Sequence, residues 1–173
     1  MRTTKFVKCL GCVGLMAAMT LGAEPLPSQL AGTWKITRIL PTHNVSCWST
    51  EQAQTLLGTT LSYSNTSMKW RDGEVAVEEI SVRTTTEAEF RKESSLDEGT
   101  NFSQLGIRST RVVEVDLQHE DADVTGGTTE IPGDTILIAG PNRIIVSACG
   151  VYFEALRTRL NTASTTIRAG AGR

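Results

Sequence analysis

Residues 30–40 constrain the fold of this chain more than any other stretch, because apolar and polar residues alternate along them. Trp34 and Ile36 fall on one face of an extended chain. Lys35 and Thr37 fall on the other face, and this two-residue period is typical of a strand with one buried side. A large aromatic residue so early in the chain gives later strands an apolar anchor on which to close.

Seven further runs have strand character, and turn signals separate them from one another. One such signal is Arg71-Asp72-Gly73, which is typical of a tight hairpin. The clearest alternation lies in residues 111–118, where Glu114 and Asp116 are predicted to face solvent. The predicted strands are residues 30–40, 60–63, 67–70, 74–82, 111–118, 135–139, 143–148 and 151–156.

One short helix is predicted over residues 49–57. Ser49 and Gln52 form the S-x-x-Q pattern that caps the first turn of a helix, and Gly58 is suited to end it. About eight short strands and a single early helix indicate an all-β protein. We therefore predict one antiparallel up-and-down β-barrel, because closure of the sheet removes exposed strand edges.

Residues 1–23 have the composition of a signal peptide. The basic residues Arg2, Lys5 and Lys8 come first, a short apolar run follows, and small residues precede a cleavage point at Glu24. The apolar run is shorter than the roughly 20 residues that a bilayer span needs. We therefore expect a secreted or periplasmic protein that retains no stable membrane insertion after the signal peptide is removed.

The barrel domain is predicted over residues 24–157, and a disordered basic tail over residues 158–173, which are small and polar. The chain has 17 basic and 19 acidic residues, and three of the basic residues lie in the signal peptide. The mature protein is therefore acidic outside its tail. Binding to nucleic acid or to an anionic membrane surface is not expected of such a protein.

Cys47 and Cys149 are the two cysteines left once Cys9 and Cys12 are removed with the signal peptide. Two cysteines in an oxidising compartment are candidates for a disulfide. Two buried thiols, or one reactive thiol, are the alternatives. The sequence predicts the disulfide, which would close a loop of roughly 100 residues and stabilise the fold by about 4–5 kcal/mol in the chain-entropy account.

The tripeptide Gly32-Thr33-Trp34, at the start of the first strand and soon after the signal peptide, resembles the G-x-W opening of lipocalins and related calycin barrels. In that family the tryptophan plugs the closed end of the barrel, often under an arginine near the last strand. The resemblance implies this structural role for Trp34, with Arg157 as its arginine. It also implies a lipocalin-like interior that binds a small apolar or amphipathic ligand.

Ligand contacts in such a barrel would come from inward-facing apolar residues near its open end. Alternation along the strands selects these positions, since no sequence motif marks them. The predicted ligand-binding residues are Trp70, Tyr63, Val113, Val115 and Ile138.

Catalytic and metal-binding motifs are absent from the sequence. His43 and His119 have no second histidine at metal-ligand spacing, and no serine lies in a G-x-S-x-G elbow. Residues 121–126 resemble the start of a calcium loop, but the twelfth position is Pro132 instead of a bidentate glutamate. We therefore expect no enzymatic activity, no cofactor and no bound metal.

Two functions of different classes remain open at this point. The first is an extracytoplasmic barrel that binds a small apolar or amphipathic ligand. The alternative is a protein-binding module, such as an inhibitor or partner of another extracytoplasmic protein, with a filled barrel. An open interior cavity favours the first function, and a filled interior with an exposed apolar or acidic surface favours the second.

The disulfide prediction can be tested on mature protein purified from the extracytoplasmic fraction. Thiol labelling after unfolding without a reductant should modify neither Cys47 nor Cys149. Labelling after reduction should modify both, and Cys149→Ala should lower the free energy of unfolding by several kcal/mol at most. Two reactive thiols in the unreduced protein would contradict the prediction.

Overall fold

The computed structural model describes residues 24–41, 49–71, 73–93, 100–119 and 132–158. Across these residues the chain forms nine strands and two short helices. The predicted signal peptide, Cys47, His43, the calcium-like loop and the tail beyond residue 158 lie outside the described part. The elements in chain order are β1 (Gly32–Ile39), α1 (Thr50–Gln54), β2 (Thr60–Tyr63), β3 (Ser67–Trp70), β4 (Gly73–Ala76), β5 (Glu79–Thr86), α2 (Glu87–Glu93), β6 (Arg111–Gln118), β7 (Thr135–Gly140), β8 (Arg143–Ala148) and β9 (Val151–Arg157).

A single antiparallel sheet holds all nine strands in the order β4-β3-β2-β1-β9-β8-β7-β6-β5. The sheet curls into an open half-barrel. Its two edge strands, β4 and β5, are consecutive in the chain and are joined by Val77 and Glu78. The all-β, antiparallel prediction is therefore confirmed, whereas the closed barrel of about eight strands is not what the structure shows.

The sheet has nine strands, and an open seam between its edge strands β4 and β5, for one reason. The predicted strand 74–82 changes its pairing partner part of the way along. Its first part pairs with β3, and the Val77 amide continues that pairing by donating to the Thr66 carbonyl at 3.0 Å. Its second part pairs with β6, beginning with the Glu78 amide donating to the Gln118 carbonyl at 2.8 Å. The two halves thus hydrogen-bond to opposite edges of the sheet in succession, so no ladder joins β4 to β5.

The early helix is shorter than predicted and a second helix follows β5. Ser49 caps α1 with the expected reciprocal bonds, because its side chain accepts from the Gln52 amide while the Gln52 side chain accepts from the Ser49 amide. At the second helix, Glu89 accepts hydrogen bonds from the backbone and side chain of Thr86. Neither of these helices is long and apolar enough to cross a bilayer.

The inner face of the curled sheet carries the larger apolar core, and β1 supplies its centre. Trp34 and Ile36 are both completely buried, as the alternation predicts. The segment before β1 closes over this core with Leu30, which is also completely buried. The Trp34 indole N–H donates to the Leu30 carbonyl at 2.8 Å. This bond fixes residues 24–31, which we call the entry segment, to the first strand.

The outer face of β6 to β9 carries a second apolar core that the strand pattern alone does not predict. Phe90 of α2 lies against Phe102 and Tyr152, with ring centroids 5.6 and 5.9 Å apart. The covering residues come from α2 and from residues 100–107. The buried members of this core are Leu40, Phe90, Phe102, Leu105, Ile107, Val112, Leu137 and Ile145.

The open edge of β5 is partly satisfied by carboxylates. Glu24 accepts a hydrogen bond from the Val82 amide at 2.9 Å, and Glu89 accepts one from the Thr86 amide at 2.8 Å. Because backbone amides along a strand alternate in direction, these two belong to the set that points away from β6. The entry segment therefore reaches from β1 to the far edge of the sheet.

Replacement of Trp34 by alanine should test how strongly the inner core depends on β1. Trp34→Ala should lower the free energy of unfolding by about 3–5 kcal/mol, as the loss of a large buried aromatic does. Leu57→Ala is the matched control, since Leu57 is 41% exposed and its loss should cost no more than about 0.5 kcal/mol. Urea unfolding followed by far-ultraviolet circular dichroism measures both. Equal effects of the two substitutions would contradict this account of the core.

Candidate binding site

The five predicted ligand-binding residues divide into two groups. Trp70, Tyr63 and Val115 are at most 4% exposed and belong to the inner core. Val113 and Ile138 are only partly buried and pack against the edge of that core. These last two are direct neighbours across β6 and β7, so they form one apolar patch near the β7–β8 turn.

Tyr63 is engaged with the opposite side of the curled sheet and does not face an open cavity. Its hydroxyl donates to the Gly133 carbonyl, 3.2 Å away, in the turn before β7. Gly133 has a φ of +109°, and a Cβ there would overlap the Tyr63 oxygen and lie 3.4 Å from Leu61. The two walls of the half-barrel are therefore in contact at this level.

Burial shifts the ionisation of Tyr63. Loss of hydration raises the pKa of its phenol well above the ordinary value of 10.0, and the charge of Asp134 adds to the effect. A raised pKa for an acid means that folding favours the neutral phenol. This contribution to stability is complete below pH 10 and decreases as the pH rises towards the folded-state pKa.

Trp34 and Arg157 are stacked at the start of β1. The guanidinium carbon of Arg157 lies 4.2 Å from the centre of the Trp34 ring. Arg157 also donates hydrogen bonds to the carbonyls of Ala31, at 2.7 Å, and of Gln29. The arginine thus ties the last strand to the entry segment and covers the tryptophan. This contact stabilises the fold and leaves no space for a ligand at the Trp34 ring.

A cavity of about 400 Å³ lies outside the inner core, where residues 106–111 meet the β7–β8 turn. Its walls combine three arginines with apolar side chains, and one of the apolar residues is Ile138. We call this cavity the arginine pocket. Its lining residues are Gly106, Ile107, Arg108, Ser109, Arg111, Val112, Ile138, Ala139 and Arg143.

Arg143 is the fixed member of the arginine pocket. Its Nε donates to Glu154 at 2.6 Å, and its terminal nitrogens donate to the carbonyls of Leu105, at 2.6 Å, and Gly106, at 3.3 Å. Gly106 has a φ of +66°, and a Cβ there would lie 3.3 Å from an Arg143 nitrogen. The glycine therefore allows the backbone to approach the guanidinium closely.

Glu154 holds two arginines at this end of the sheet. The same carboxylate oxygen accepts from Arg143 and, at 2.9 Å, from Arg38. Although burial opposes ionisation of Glu154, hydrogen bonds and charges from the two arginines lower its pKa below the ordinary value of 4.5. The ion pairs therefore persist into mildly acidic conditions, and one carboxylate is shared between two positive charges.

A second polar cluster lies on the outer face beneath α2. Glu114 is only 5% exposed, although the sequence predicts that it faces solvent. It accepts hydrogen bonds from Arg83 at 2.8 Å and from the Thr85 hydroxyl at 2.6 Å, and Arg83 also pairs with Glu93. The second apolar core covers this face, which is why an outward-pointing carboxylate is buried and paired.

Asp116, the other acidic residue predicted to face outward, is partly buried and lies near Glu114. Desolvation raises the pKa of Asp116 above the ordinary value of 3.8, although the Thr135 hydroxyl opposes this shift by donating a hydrogen bond at 2.9 Å.

Among the residues that the structure describes, no group of three His, Cys, Asp or Glu side chains has a metal-binding arrangement. His119 contacts Asp134 at 3.0 Å.

Cys149 lies in the β8–β9 turn, where it is 3% exposed and has a φ of +50°. Because Cys47 falls outside the described residues, the disulfide between them stays a prediction. The Cys149 sulfur is in contact with the inner core in either case.

The arginine pocket cannot be recognised in the sequence, and its three arginines explain why. Arg108 precedes β6 and Arg111 is its first residue, whereas Arg143 begins β8 some thirty residues later. Only the antiparallel register, which sets Val113 opposite Ile138 and Ile138 opposite Ile144, brings these strand ends together. Ile138 was selected by alternation alone, and it is the one predicted ligand residue that lines this pocket.

The contact between Tyr63 and Gly133 can be tested by a double-mutant cycle. Gly133→Ala should destabilise the protein strongly, because the new Cβ overlaps the Tyr63 hydroxyl and the backbone has a positive φ. In a Tyr63→Phe background the cost should be smaller by about 1 kcal/mol or more, since the overlapping oxygen is gone. Chemical denaturation supplies the four free energies of unfolding.

Gly58→Ala is the matched control for backbone strain. Gly58 has a φ of +86°, but nothing lies within 4 Å of an added Cβ. Its cost should therefore be the same with Tyr63 or with Phe at that position. Strict additivity between Gly133→Ala and Tyr63→Phe would show that the two walls of the half-barrel are not in contact there.

The resemblance of residues 32–34 to the lipocalin opening remains a prediction. Comparison of the chain with protein-family models, with curated proteins and with solved structures found no match.

Proposed function

We propose that this protein is a lipocalin-like binding protein that acts outside the cytoplasm and takes up a small apolar or amphipathic ligand. The observation that carries the proposal is the arginine pocket, a cavity of about 400 Å³. Cavities of roughly 300–1,000 Å³ with apolar walls and a few polar groups are typical of small-molecule sites. Export is supported by the sequence of residues 1–23.

The proposed site lies at the rim of the half-barrel instead of its interior. The interior at the level of Tyr63 is crossed by its hydrogen bond to Gly133. By contrast, Val113 and Ile138 are only partly buried, and Ile138 is one of the residues that line the arginine pocket. A ligand seated there would cover apolar surface that the fold leaves accessible to water, which favours binding.

A protein-binding module is the second candidate, and the packed inner core favours it. Such a module needs no interior cavity, and β4 and β5 offer open edges to which an extended segment of a partner can add. Part of the β5 edge is already satisfied by Glu24 and Glu89, which counts against this route. We therefore rank ligand binding first.

Binding of a neutral apolar dye tests the proposed function. Nile red should bind the mature protein with one defined stoichiometry, and octanol should displace it. Ile138→Ala should weaken dye binding several-fold, because the ligand loses apolar contact at the pocket wall. Leu57→Ala is the control, since it removes an exposed leucine elsewhere and should leave the affinity unchanged.

Two outcomes would contradict ligand binding at the proposed site. One is a folded protein that binds no dye at any concentration at which the dye itself is soluble. The other is binding that Ile138→Ala leaves intact, which would exclude the arginine pocket as the site. Native mass spectrometry of protein purified from its own host separates the two candidate functions, because it distinguishes a small-molecule adduct from a protein complex.

A further inference from the structure

We infer that the arginine pocket selects ligands with an anionic head group, so that the ligand is a small amphipathic anion such as an alkyl carboxylate. This inference rests on the proposed function and adds the charge of the ligand to it. It assigns the head group to Arg108, Arg111 and Arg143, and the alkyl chain to the apolar wall. The sequence does not mark any of these three arginines as a binding residue.

Positive charge is concentrated around the arginine pocket. The pocket is lined by three arginines and by no acidic side chain. Arg143 shares its carboxylate partner, Glu154, with Arg38, so this pair of arginines is only half neutralised. Arg108 and Arg111 form no ion pair with any other described residue within 4.0 Å. In an otherwise acidic protein, this rim is a local concentration of positive charge.

Arg143 is held in a geometry that can receive an anion. A guanidinium carries five N–H groups, and three of those on Arg143 are donated to Glu154, Leu105 and Gly106. One N–H on each terminal nitrogen is left over within the described part of the chain. The side chain is therefore held in place and is still 21% exposed, which is the condition for receiving an anion without further ordering.

The other half of the arginine pocket is apolar. Ile107, Val112 and Ile138 line the same cavity as the arginines. Ile107 and Val112 are also members of the second apolar core, so this wall continues the outer face of the sheet. A ligand with one anionic end and a short alkyl chain contacts both halves of the pocket. An inorganic anion would leave the apolar wall exposed to water, and an alcohol would leave the arginines without an anionic partner.

Octanoate and octanol are suitable probes, because they share one alkyl chain and differ in head-group charge. Isothermal titration calorimetry at pH 7 should show octanoate binding at least about tenfold more tightly than octanol, a difference of about 1.4 kcal/mol. The preference should shrink as the salt concentration rises, because exposed charges are screened.

The double variant Arg108→Gln/Arg111→Gln should remove most of the preference for octanoate, because the head group loses two of its three cationic partners. Both arginines are exposed, so the variant should fold normally, which a thermal melt verifies. Lys69→Gln is the matched control, since it removes an exposed positive charge on β3, away from the pocket. Arg108→Lys/Arg111→Lys should retain most of the preference, because it keeps the charge.

The outcomes separate the inference from the proposed function. If octanol and octanoate bind equally, or if the glutamine double variant keeps the preference of the native protein, the anion assignment is wrong and ligand binding stands. If neither probe binds the native protein, the proposed function fails and this inference fails with it. A loss of octanoate binding that is equally large in Lys69→Gln would show a non-specific charge effect and would overturn the assignment.

Discussion

The rest of the structure depends on the way Trp34 is held. Its ring fills the centre of the inner core, its indole N–H is fixed by the Leu30 carbonyl, and Arg157 lies over its outer surface. The entry segment and the last strand both contact this one side chain of the first strand. Because the entry segment, the first strand and the last strand are tied together there, β1 and β9 can pair at the middle of the sheet instead of forming its edges. Every other strand then pairs, antiparallel, with the strand before or after it in the chain, outward from this centre.

Much of the fold could be predicted from the sequence, because a buried sheet face imposes a two-residue period. The strands β2, β3, β6 and β8 begin and end where alternation and turn residues place them. The change of partner after Val77 does have a signal in the sequence, since Val75 and Val77 alternate in one phase and Ile80 and Val82 resume in the other after Glu78 and Glu79. That signal does not say which strands the two halves join. The burial of Glu114 could not be predicted from the sequence, because it depends on Phe90 and Phe102 covering the outer face. Alternation fixes the face on which a side chain lies, but it says nothing about what packs against that face.

In the candidate site too, some residues can be predicted from the local sequence and others only from the pairing of distant strands. Ile138 could be chosen from its place in a strand, whereas the three arginines are unremarkable in sequence and meet only through the register of β6, β7 and β8. The interior, which the family resemblance would make the ligand cavity, is narrowed by Tyr63 and Gly133. Ligand contacts would then move to the rim, where apolar and cationic surfaces adjoin. The open seam and the packed interior are consistent with each other, since a sheet that is not closed into a ring can flatten until its walls touch.

The hydrogen bond from the Val82 amide to Glu24 has a consequence for how this protein behaves at high concentration. An exposed strand edge is a template on which another polypeptide can add as a further strand, and repeated addition leads to fibrous aggregates. A carboxylate placed on an edge amide occupies the donor that an incoming strand needs and also presents a charge that such a strand must desolvate. Glu24 is the first residue after the expected cleavage point. If the chain is cut before Glu24, the carboxylate stays with the mature protein and keeps the Val82 amide occupied, whereas a cut a few residues later would leave that amide open to an incoming strand.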